Sequence, residues 1–226
     1  MAKKILILTD SIGNPQPYLG DDSTNLEQTF PFLIKNNLKN ITFHQITLGH
    51  AMSSHLISQA RGYITSWKPD YILICCGIND ATPLFFSEKE KNFLFKYFLI
   101  NKIGGFFKNL VKKKIFYNEK ILWMRSKSRE SHANFLLNIK KFLNSFKFSK
   151  IFWYEIFVGD EEENKKKNIL NNIKEFNKIL DDQENINLIK VKKELVAKNG
   201  IAKDNIHLNI IGHQILAKNF LDIIQA

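Results

Sequence analysis

The first apolar run of the chain reads KILILTDS over residues 4–11, and this stretch decides the fold. Residues 5–8 are all apolar, and the run ends sharply at Thr9, Asp10 and Ser11. So short and apolar a run is typical of a strand buried on both faces of a parallel sheet. It is too short for a secretion signal or a membrane span. A hydroxyl group that directly follows such a strand lies at the edge where parallel sheets bind ligands.

Apolar runs of this kind alternate with amphipathic segments along the rest of the chain. Strands are predicted at residues 4–8, 41–48, 71–76, 150–158 and 186–191, and helices at residues 26–37, 53–67, 131–146, 161–180 and 210–224. Strands separated by helices indicate a mainly parallel sheet that is covered on both faces. We therefore predict an α/β fold, a three-layer α/β/α sandwich with a mainly parallel five-stranded sheet.

No internal repeat and no flexible linker divides the sequence, so a single domain over residues 1–226 is predicted. An aromatic and basic insertion is expected at about residues 81–130, where the helical pattern is lost. Two interpretations of this insertion stay open: a helical cover packed on the sheet, or a lid that contacts the substrate.

The formal net charge is +11 and the sequence pI is about 9.5. Only three of the cationic side chains are arginines, on which nucleic-acid sites usually depend for bidentate contacts. We expect no specific nucleic-acid partner, whereas an anionic glycan or a peripherally contacted membrane surface fits the charge. Without a candidate signal or span, a cytoplasmic location is expected.

The two cysteines, Cys75 and Cys76, are adjacent in a predicted strand. Neighbours on a strand point to opposite faces, so they are expected to be packed thiols and not a disulfide. No cluster of histidine and acidic residues has metal-ligand spacing, and we predict no metal.

Polar residues follow the other predicted strands as well. These groups are Gly49 and His50, then Gly77, Asn79 and Asp80, and finally Asp204 and His207 just before the last helix. Because the carboxyl ends of parallel strands meet at one edge of a sheet, we expect them near Ser11. Each of them alone is equally typical of a turn or a helix cap.

The residue types at this edge suit nucleophilic catalysis. A neutral serine hydroxyl is a poor nucleophile and needs an adjacent base. His207 can accept the Ser11 proton and return it to a leaving group, because imidazole titrates near neutral pH. Asp204 can orient that ring from one turn of chain away. The predicted catalytic residues are therefore Ser11, Asp204 and His207, whereas His213, inside the last helix, is expected to be structural.

These four groups of residues resemble the four sequence blocks of the SGNH/GDSL hydrolase superfamily. Residues 9–11, Thr-Asp-Ser, are similar to the core of the first block, with threonine in place of the usual glycine. Gly49 falls where the glycine of the second block belongs. Residues 77–80, Gly-Ile-Asn-Asp, match the third block's Gly-x-Asn-Asp, and residues 204–207 match the last block's Asp-x-x-His.

The resemblance implies a flavodoxin-like SGNH hydrolase fold and ester cleavage through a Ser-His-Asp triad. It also implies an oxyanion hole made of the backbone N–H groups of Ser11 and Gly49 and the side-chain amide of Asn79. Three further polar neighbours are expected to contact the substrate: Asp10, His50 and Asp80.

The leading hypothesis is a serine-dependent esterase that removes O-acyl groups, specifically O-acetyl, from a carbohydrate. An O-acetyltransferase acting on a bacterial surface polysaccharide or its precursor would use the same triad. A non-catalytic glycan-binding protein on this scaffold is the second alternative. No cofactor is expected, and acetyl-CoA would serve as donor only in a transferase.

Overall fold

The computed structural model describes residues 2–82, 128–159 and 167–225. Its five strands are β1 (Lys3–Thr9), β2 (Ile41–Thr47), β3 (Tyr71–Cys75), β4 (Lys150–Tyr154) and β5 (Ile186–Ile189). They form one sheet in the order β2-β1-β3-β4-β5, and every neighbouring pair is parallel. The predicted five-stranded parallel sheet is confirmed.

Seven helices connect or follow the strands in the described part of the chain. They are α1 (Phe30–Asn37), α2 (Ser53–Tyr63), α3 (Ile78–Ala81), α4 (His132–Ser145), α5 (Lys167–Asp181), α6 (Lys192–Ala197) and α7 (Ile210–Gln225). Helix α1 packs on α7, while α4 packs on both α2 and α5. These two groups cover opposite faces of the sheet and complete the α/β/α sandwich, as predicted.

Strand β1 lies between β2 and β3, and its apolar residues form the middle of the core. Leu8, for example, pairs with Ile46 of β2 and with Ile74 of β3. All four residues of the 5–8 run are completely buried, because helices cover both faces of the strand. This position places the end of β1, and the Ser11 that follows it, at the carboxyl edge of the sheet.

The fourth strand is shorter than the predicted range 150–158. Beyond Tyr154 the chain leaves the sheet, and the backbone of Ile156 pairs with the side-chain amide of Asn177 instead of a strand. The Ile156 N–H donates to Asn177 Oδ1 at 2.7 Å, and Asn177 Nδ2 donates to the Ile156 carbonyl at 2.8 Å. An amide side chain on α5 thus takes the place of a neighbouring strand.

Helix α6 was not predicted, and it shortens the predicted strand 186–191. The Glu155 carboxylate accepts hydrogen bonds from the N–H groups of Val191 and Lys192, at 2.6 and 2.5 Å. These bonds satisfy N–H groups at the start of α6, which a helix leaves unpaired. The capping group comes from a different part of the chain.

Helices predicted at 26–37 and 53–67 each divide into a 3-10 turn and an α-helix. Thr29 is extended between the turn Leu26–Gln28 and α1, and a second turn, Thr65–Trp67, follows α2. Most of the predicted insertion at 81–130, and the start of the predicted helix 161–180, lie outside the described residues. Where the structure describes the chain, no helix is both long and apolar enough to cross a membrane.

Candidate active site

Ser11, His207 and Asp204 form a continuous hydrogen-bonded chain at the carboxyl edge of the sheet. His207 Nε2 lies 3.0 Å from Ser11 Oγ, and His207 Nδ1 lies 2.5 Å from Asp204 Oδ2. The imidazole and the carboxylate side chains are 19% and 30% exposed, so the group is open to a ligand at the surface. The structure brings these three predicted residues together although 196 positions separate the serine from the histidine.

The Asp204 carboxylate is fixed at both oxygens. Its Oδ1 accepts from the backbone N–H groups of Ile206 and His207, at 3.0 and 2.9 Å, while Oδ2 faces the ring. Partial burial acts to raise the pKa of Asp204, but the hydrogen bonds from His207 and Ile206 outweigh it and lower the pKa to about 2. The carboxylate is therefore ionised at neutral pH and oriented toward Nδ1.

Ser11 opens a short 3-10 turn, Ser11–Gly13, that follows β1. Asp10 caps this turn, with its Oδ1 accepting from the Ile12 N–H at 3.0 Å. Thr9, which replaces the usual glycine of the first block, is buried, and a Cβ on Gly13 would lie only 2.3 Å from its methyl group. Gly13 thus provides the space that the larger Thr9 side chain needs.

Asn79 lies in the first turn of α3, immediately after β3. Its Nδ2 donates to the carbonyl of Ala51 at 3.1 Å. Gly77, which precedes α3, has φ +124°, and a Cβ there would lie 2.5 Å from the Ile156 side chain. Both the backbone conformation and the space at this position require glycine. The turn at Gly77 leads from β3 directly into α3, which places Asn79 at the edge of the sheet.

Gly49 lies in an exposed turn after β2 and faces the end of the Ser11–Gly13 turn. The Leu48 N–H donates to the carbonyl of Thr9 at 3.1 Å, and a Cβ on Gly49 would lie 3.8 Å from Asn14 Nδ2. The next residue, His50, is exposed and has φ +58°. The contact to Asn79 in this turn is made by the Ala51 carbonyl and not by Gly49.

Asp80 is completely buried and holds the start of α2. Its Oδ2 accepts from the Ser53 N–H at 2.9 Å, and its Oδ1 accepts from Ser53 Oγ at 2.8 Å. Asp10 is also completely buried. A buried carboxylate cannot reach a substrate at the surface, so this finding corrects the expectation that Asp10 and Asp80 contact the substrate: both support the loops that carry the site.

Sequence reasoning missed two residues that support the site. Gln16 Nε2 donates to the carbonyl of Ser11 at 2.9 Å, and Ser53 is the partner of Asp80. Gln16 lies in a loop and Ser53 begins α2, and neither belongs to a spaced motif, so spacing alone could not single them out. His213, by contrast, is buried in α7 as expected, and its Nδ1 accepts from the Phe30 N–H at 3.1 Å. Burial lowers the pKa of His213 to about 4, so the ring stays neutral.

In the described part of the chain, no group of three or more histidine, cysteine and acidic side chains could hold a metal ion. Cys75 and Cys76 are free and buried, and burial raises the pKa of both thiols well above the usual value.

Replacing Asp10 by asparagine is expected to make the stability less dependent on pH. Burial raises the pKa of Asp10 from 3.8 to about 7. The folded state thus holds the Asp10 proton more tightly than the unfolded state. The contribution of Asp10 to the free energy of unfolding is therefore fully present below about pH 4 and is lost as pH rises toward 7. Between pH 5 and 8 this loss is on the order of 2 kcal/mol, and Asp10→Asn should remove it while keeping an acceptor for the Ile12 N–H.

Denaturant unfolding of the wild type and Asp10→Asn at pH 5 and pH 8 measures this difference. Asp181→Asn serves as the control, because Asp181 is 56% exposed and should leave the pH dependence unchanged. An Asp10→Asn variant that loses as much stability as the wild type between the two pH values would contradict the prediction.

Replacing Gly212 by alanine is expected to destabilise the fold by about 1–3 kcal/mol through overpacking. The added Cβ would lie 2.0 Å from the carbonyl oxygen of Gly200, where the 201–209 loop carrying His207 meets α7. Gly62→Ala in α2 is the matched control, because a Cβ there meets nothing within 4 Å. Chemical denaturation should show Gly212→Ala less stable and Gly62→Ala unchanged or slightly more stable; equal stabilities would refute the packing argument.

Solved structures with the same fold are ester hydrolases by name. The chain is similar to the lipase/acylhydrolase from Enterococcus faecalis, with a TM-score of 0.60, 14% sequence identity and coverage of 98% of this chain and 95% of that chain. It is also similar to a catalytic mutant of an acetylxylan esterase from Geobacillus stearothermophilus, with a TM-score of 0.60, 15% sequence identity and coverage of 97% of this chain and 93% of that chain.

A third similar structure is a member of the lipolytic protein G-D-S-L family from Veillonella parvula, with a TM-score of 0.60, 11% identity and coverage of 99% of each chain. No protein-family model and no curated protein sequence matches this chain. At these identities the likeness shows the fold. In the residues that the structure describes, the chain has the α/β fold of these GDSL-type hydrolases.

Proposed function

We propose that this protein is a serine-dependent ester hydrolase that removes O-acyl groups, with Ser11 as nucleophile, His207 as general base and Asp204 as its orienting acid. The observation that carries the proposal is a pair of contacts to the His207 ring. Ser11 Oγ lies 3.0 Å from His207 Nε2, and Asp204 Oδ2 lies 2.5 Å from His207 Nδ1. Both distances lie within or close to hydrogen-bond range, which nucleophile activation requires.

The first half of the reaction forms an acyl-enzyme. Ser11 Oγ attacks the ester carbonyl while His207 Nε2 takes the hydroxyl proton. The imidazolium that results is stabilised by Asp204, which is ionised at neutral pH. Nε2 then gives its proton to the leaving alcohol as the carbon–oxygen bond breaks. In the second half, water attacks the acyl-enzyme while His207 Nε2 takes a proton from it. Nε2 then returns this proton to Ser11 Oγ as the bond to the acyl group breaks and the carboxylic acid leaves.

The tetrahedral intermediate needs hydrogen-bond donors for its oxyanion. Asn79 is suited to this role because one amide N–H is held by the Ala51 carbonyl, which leaves the second free to donate outward. The N–H of Ser11 begins the turn after β1, and the backbone of Gly49 faces that turn. We assign the oxyanion hole to these three groups.

For the substrate we propose an O-acetyl group on a carbohydrate. The fold is shared with a protein described as an acetylxylan esterase, and the net charge of +11 favours an anionic glycan over a neutral one. The triad chemistry requires no cofactor, and none is part of the proposal. His50, exposed beside Gly49, is the candidate among the expected substrate contacts that remains at the surface.

Two measurements on the whole protein test the proposal. The wild type should hydrolyse nitrophenyl acetate and should be labelled covalently by an active-serine phosphonate. A folded wild type that neither reacts with the phosphonate nor cleaves the ester would favour a binding protein on this scaffold. Release of free acetate from an acetylated glycan, compared with transfer from acetyl-CoA to the deacetylated glycan, separates hydrolysis from acetyl transfer.

A further inference from the structure

Residues 15–24 form a loop, here called the bridging loop, that joins the two halves of the candidate triad. Its ends are closed by a pair of backbone hydrogen bonds between Gln16 and Thr24, at 3.1 and 3.2 Å. Gln16 Nε2 also donates to the carbonyl of Ser11 at 2.9 Å. One end of the loop is therefore fixed to the backbone of the nucleophile.

The other side of the bridging loop is fixed to the segment that carries the acid and the base. Asp22 Oδ2 accepts from the backbone N–H of Lys203 at 2.9 Å, and Lys203 Nζ lies 3.2 Å from Asp21 Oδ2. Lys203 directly precedes Asp204. The loop thus spans from Ser11 to the Asp204 segment and forms part of the rim of the candidate site.

Tyr18 lies in this loop between the two attachments and is 94% exposed. It is two residues beyond Gln16, which corresponds to at most about 7 Å of extended backbone. Pro15 and Pro17 restrict the backbone before it, since proline fixes φ, and Gly20 has φ +61°, which makes the return of the loop tight. The bridging loop thus carries an exposed aromatic side chain, on a backbone of little freedom, between its attachments to Ser11 and to Lys203.

The surroundings of Tyr18 distinguish among classes of ligand. A lipid chain needs a contiguous apolar surface, whereas the bridging loop offers one aromatic side chain beside the polar groups of Gln16, Asp21 and Asp22. A sugar ring presents an apolar face of C–H groups that can lie on an aromatic ring, together with hydroxyls that bind polar groups. One ring among hydrogen-bonding groups matches the sugar.

We propose that Tyr18 is a specificity-determining residue that stacks on a sugar ring of the alcohol part of the substrate. This inference rests on the proposed ester hydrolysis and adds to it the contact by which the carbohydrate is recognised. The ring acts on binding and leaves the bond-breaking steps to Ser11 and His207.

The test compares two esters that differ in the alcohol part, an acetylated xylo-oligosaccharide that carries glucuronic acid side groups and vinyl acetate. The alcohol part of vinyl acetate is too small to reach the loop. The ratio of kcat/KM for the oligosaccharide to kcat/KM for vinyl acetate should fall about 10-fold in Tyr18→Ala, mainly through a higher KM. Tyr18→Phe keeps the ring and should hold the ratio within about twofold of the wild type.

Phe148→Ala is the matched control, because Phe148 is 88% exposed but precedes β4, at the opposite end of the sheet. It should leave both activities unchanged. An unchanged ratio in Tyr18→Ala overturns the inference, as does a wild type that cleaves vinyl acetate but not the oligosaccharide; in both cases ester hydrolysis still stands.

If the wild type cleaves neither ester, the proposed function fails, and calorimetric titration with the same oligosaccharide decides the inference about Tyr18 separately. Binding by the wild type that weakens about 10-fold in Tyr18→Ala supports the stacking contact. The absence of binding, or equal binding by the two proteins, overturns it.

Discussion

Ser11→Ala is expected to reduce the hydrolysis of nitrophenyl acetate by at least about 10⁴-fold. The hydroxyl is the only group in the hydrogen-bonded chain that can attack the carbonyl, and His207 Nε2 at 3.0 Å would have no proton to accept. Removal of a triad nucleophile in other hydrolases leaves only the contribution of binding and of the oxyanion hole. Initial rates at saturating ester, with the phosphonate label as a second readout, measure the loss.

The control for this experiment is Ser66→Ala. Ser66 is exposed in the turn Thr65–Trp67 that precedes β3, at the end of the sheet opposite the triad. It should keep the full rate and the full phosphonate label. If Ser11→Ala retained label or rate similar to Ser66→Ala, a different residue would be the nucleophile and the assignment of the triad would be wrong.

Asn79→Ala is expected to lower kcat by about 10²–10³-fold, which corresponds to about 3–4 kcal/mol of transition-state stabilisation. The amide has two N–H donors, and the bond to the Ala51 carbonyl at 3.1 Å fixes its orientation while using one of them. The effect should appear mainly in kcat, because the oxyanion exists only in the transition state and the intermediate.

A stability measurement must accompany this variant, since the same amide also joins α3 to the turn after β2. Asn37→Ala is the matched control: its Nδ2 also donates to a carbonyl, that of Leu33, but at the exposed end of α1. An Asn79→Ala variant with wild-type kcat and wild-type stability would show that Asn79 is not a donor of the oxyanion hole. A loss confined to KM would point instead to substrate binding.

The sheet, and the meeting of Ser11, Asp204 and His207 at its edge, could be predicted from the sequence because both depend on local signals. The 5–8 run has the continuous apolar character of a strand covered on both sides, and parallel strands must end at one edge. Ser11 follows that strand directly. The direction of the strands, which alternation with helices supplies, placed Ser11 at this edge, whereas Asp204 and His207 were selected by their position before the last helix and by their resemblance to the Asp-x-x-His block.

The parts that could not be predicted are those fixed by side chains far away in sequence. Glu155 caps α6 across 36 or 37 positions, and Asn177 pairs with the backbone of Ile156 beyond the end of β4. Nothing in the composition of residues 192–197 or 155–158 indicates these partners. The burial of Asp10 and Asp80 was missed for the same reason, since only the assembled loops enclose the two carboxylates.

The 196 positions between Ser11 and His207 have a consequence for biosynthesis. In a growing chain the Ser11 hydroxyl lacks its imidazole partner until residue 207 has been made. The central strands can already have paired by then, since domains fold as they are made. The hydrogen-bonded chain of Ser11, His207 and Asp204 can therefore form only after all five strands have been made, and only when residues 204–207 have docked beside the end of β1.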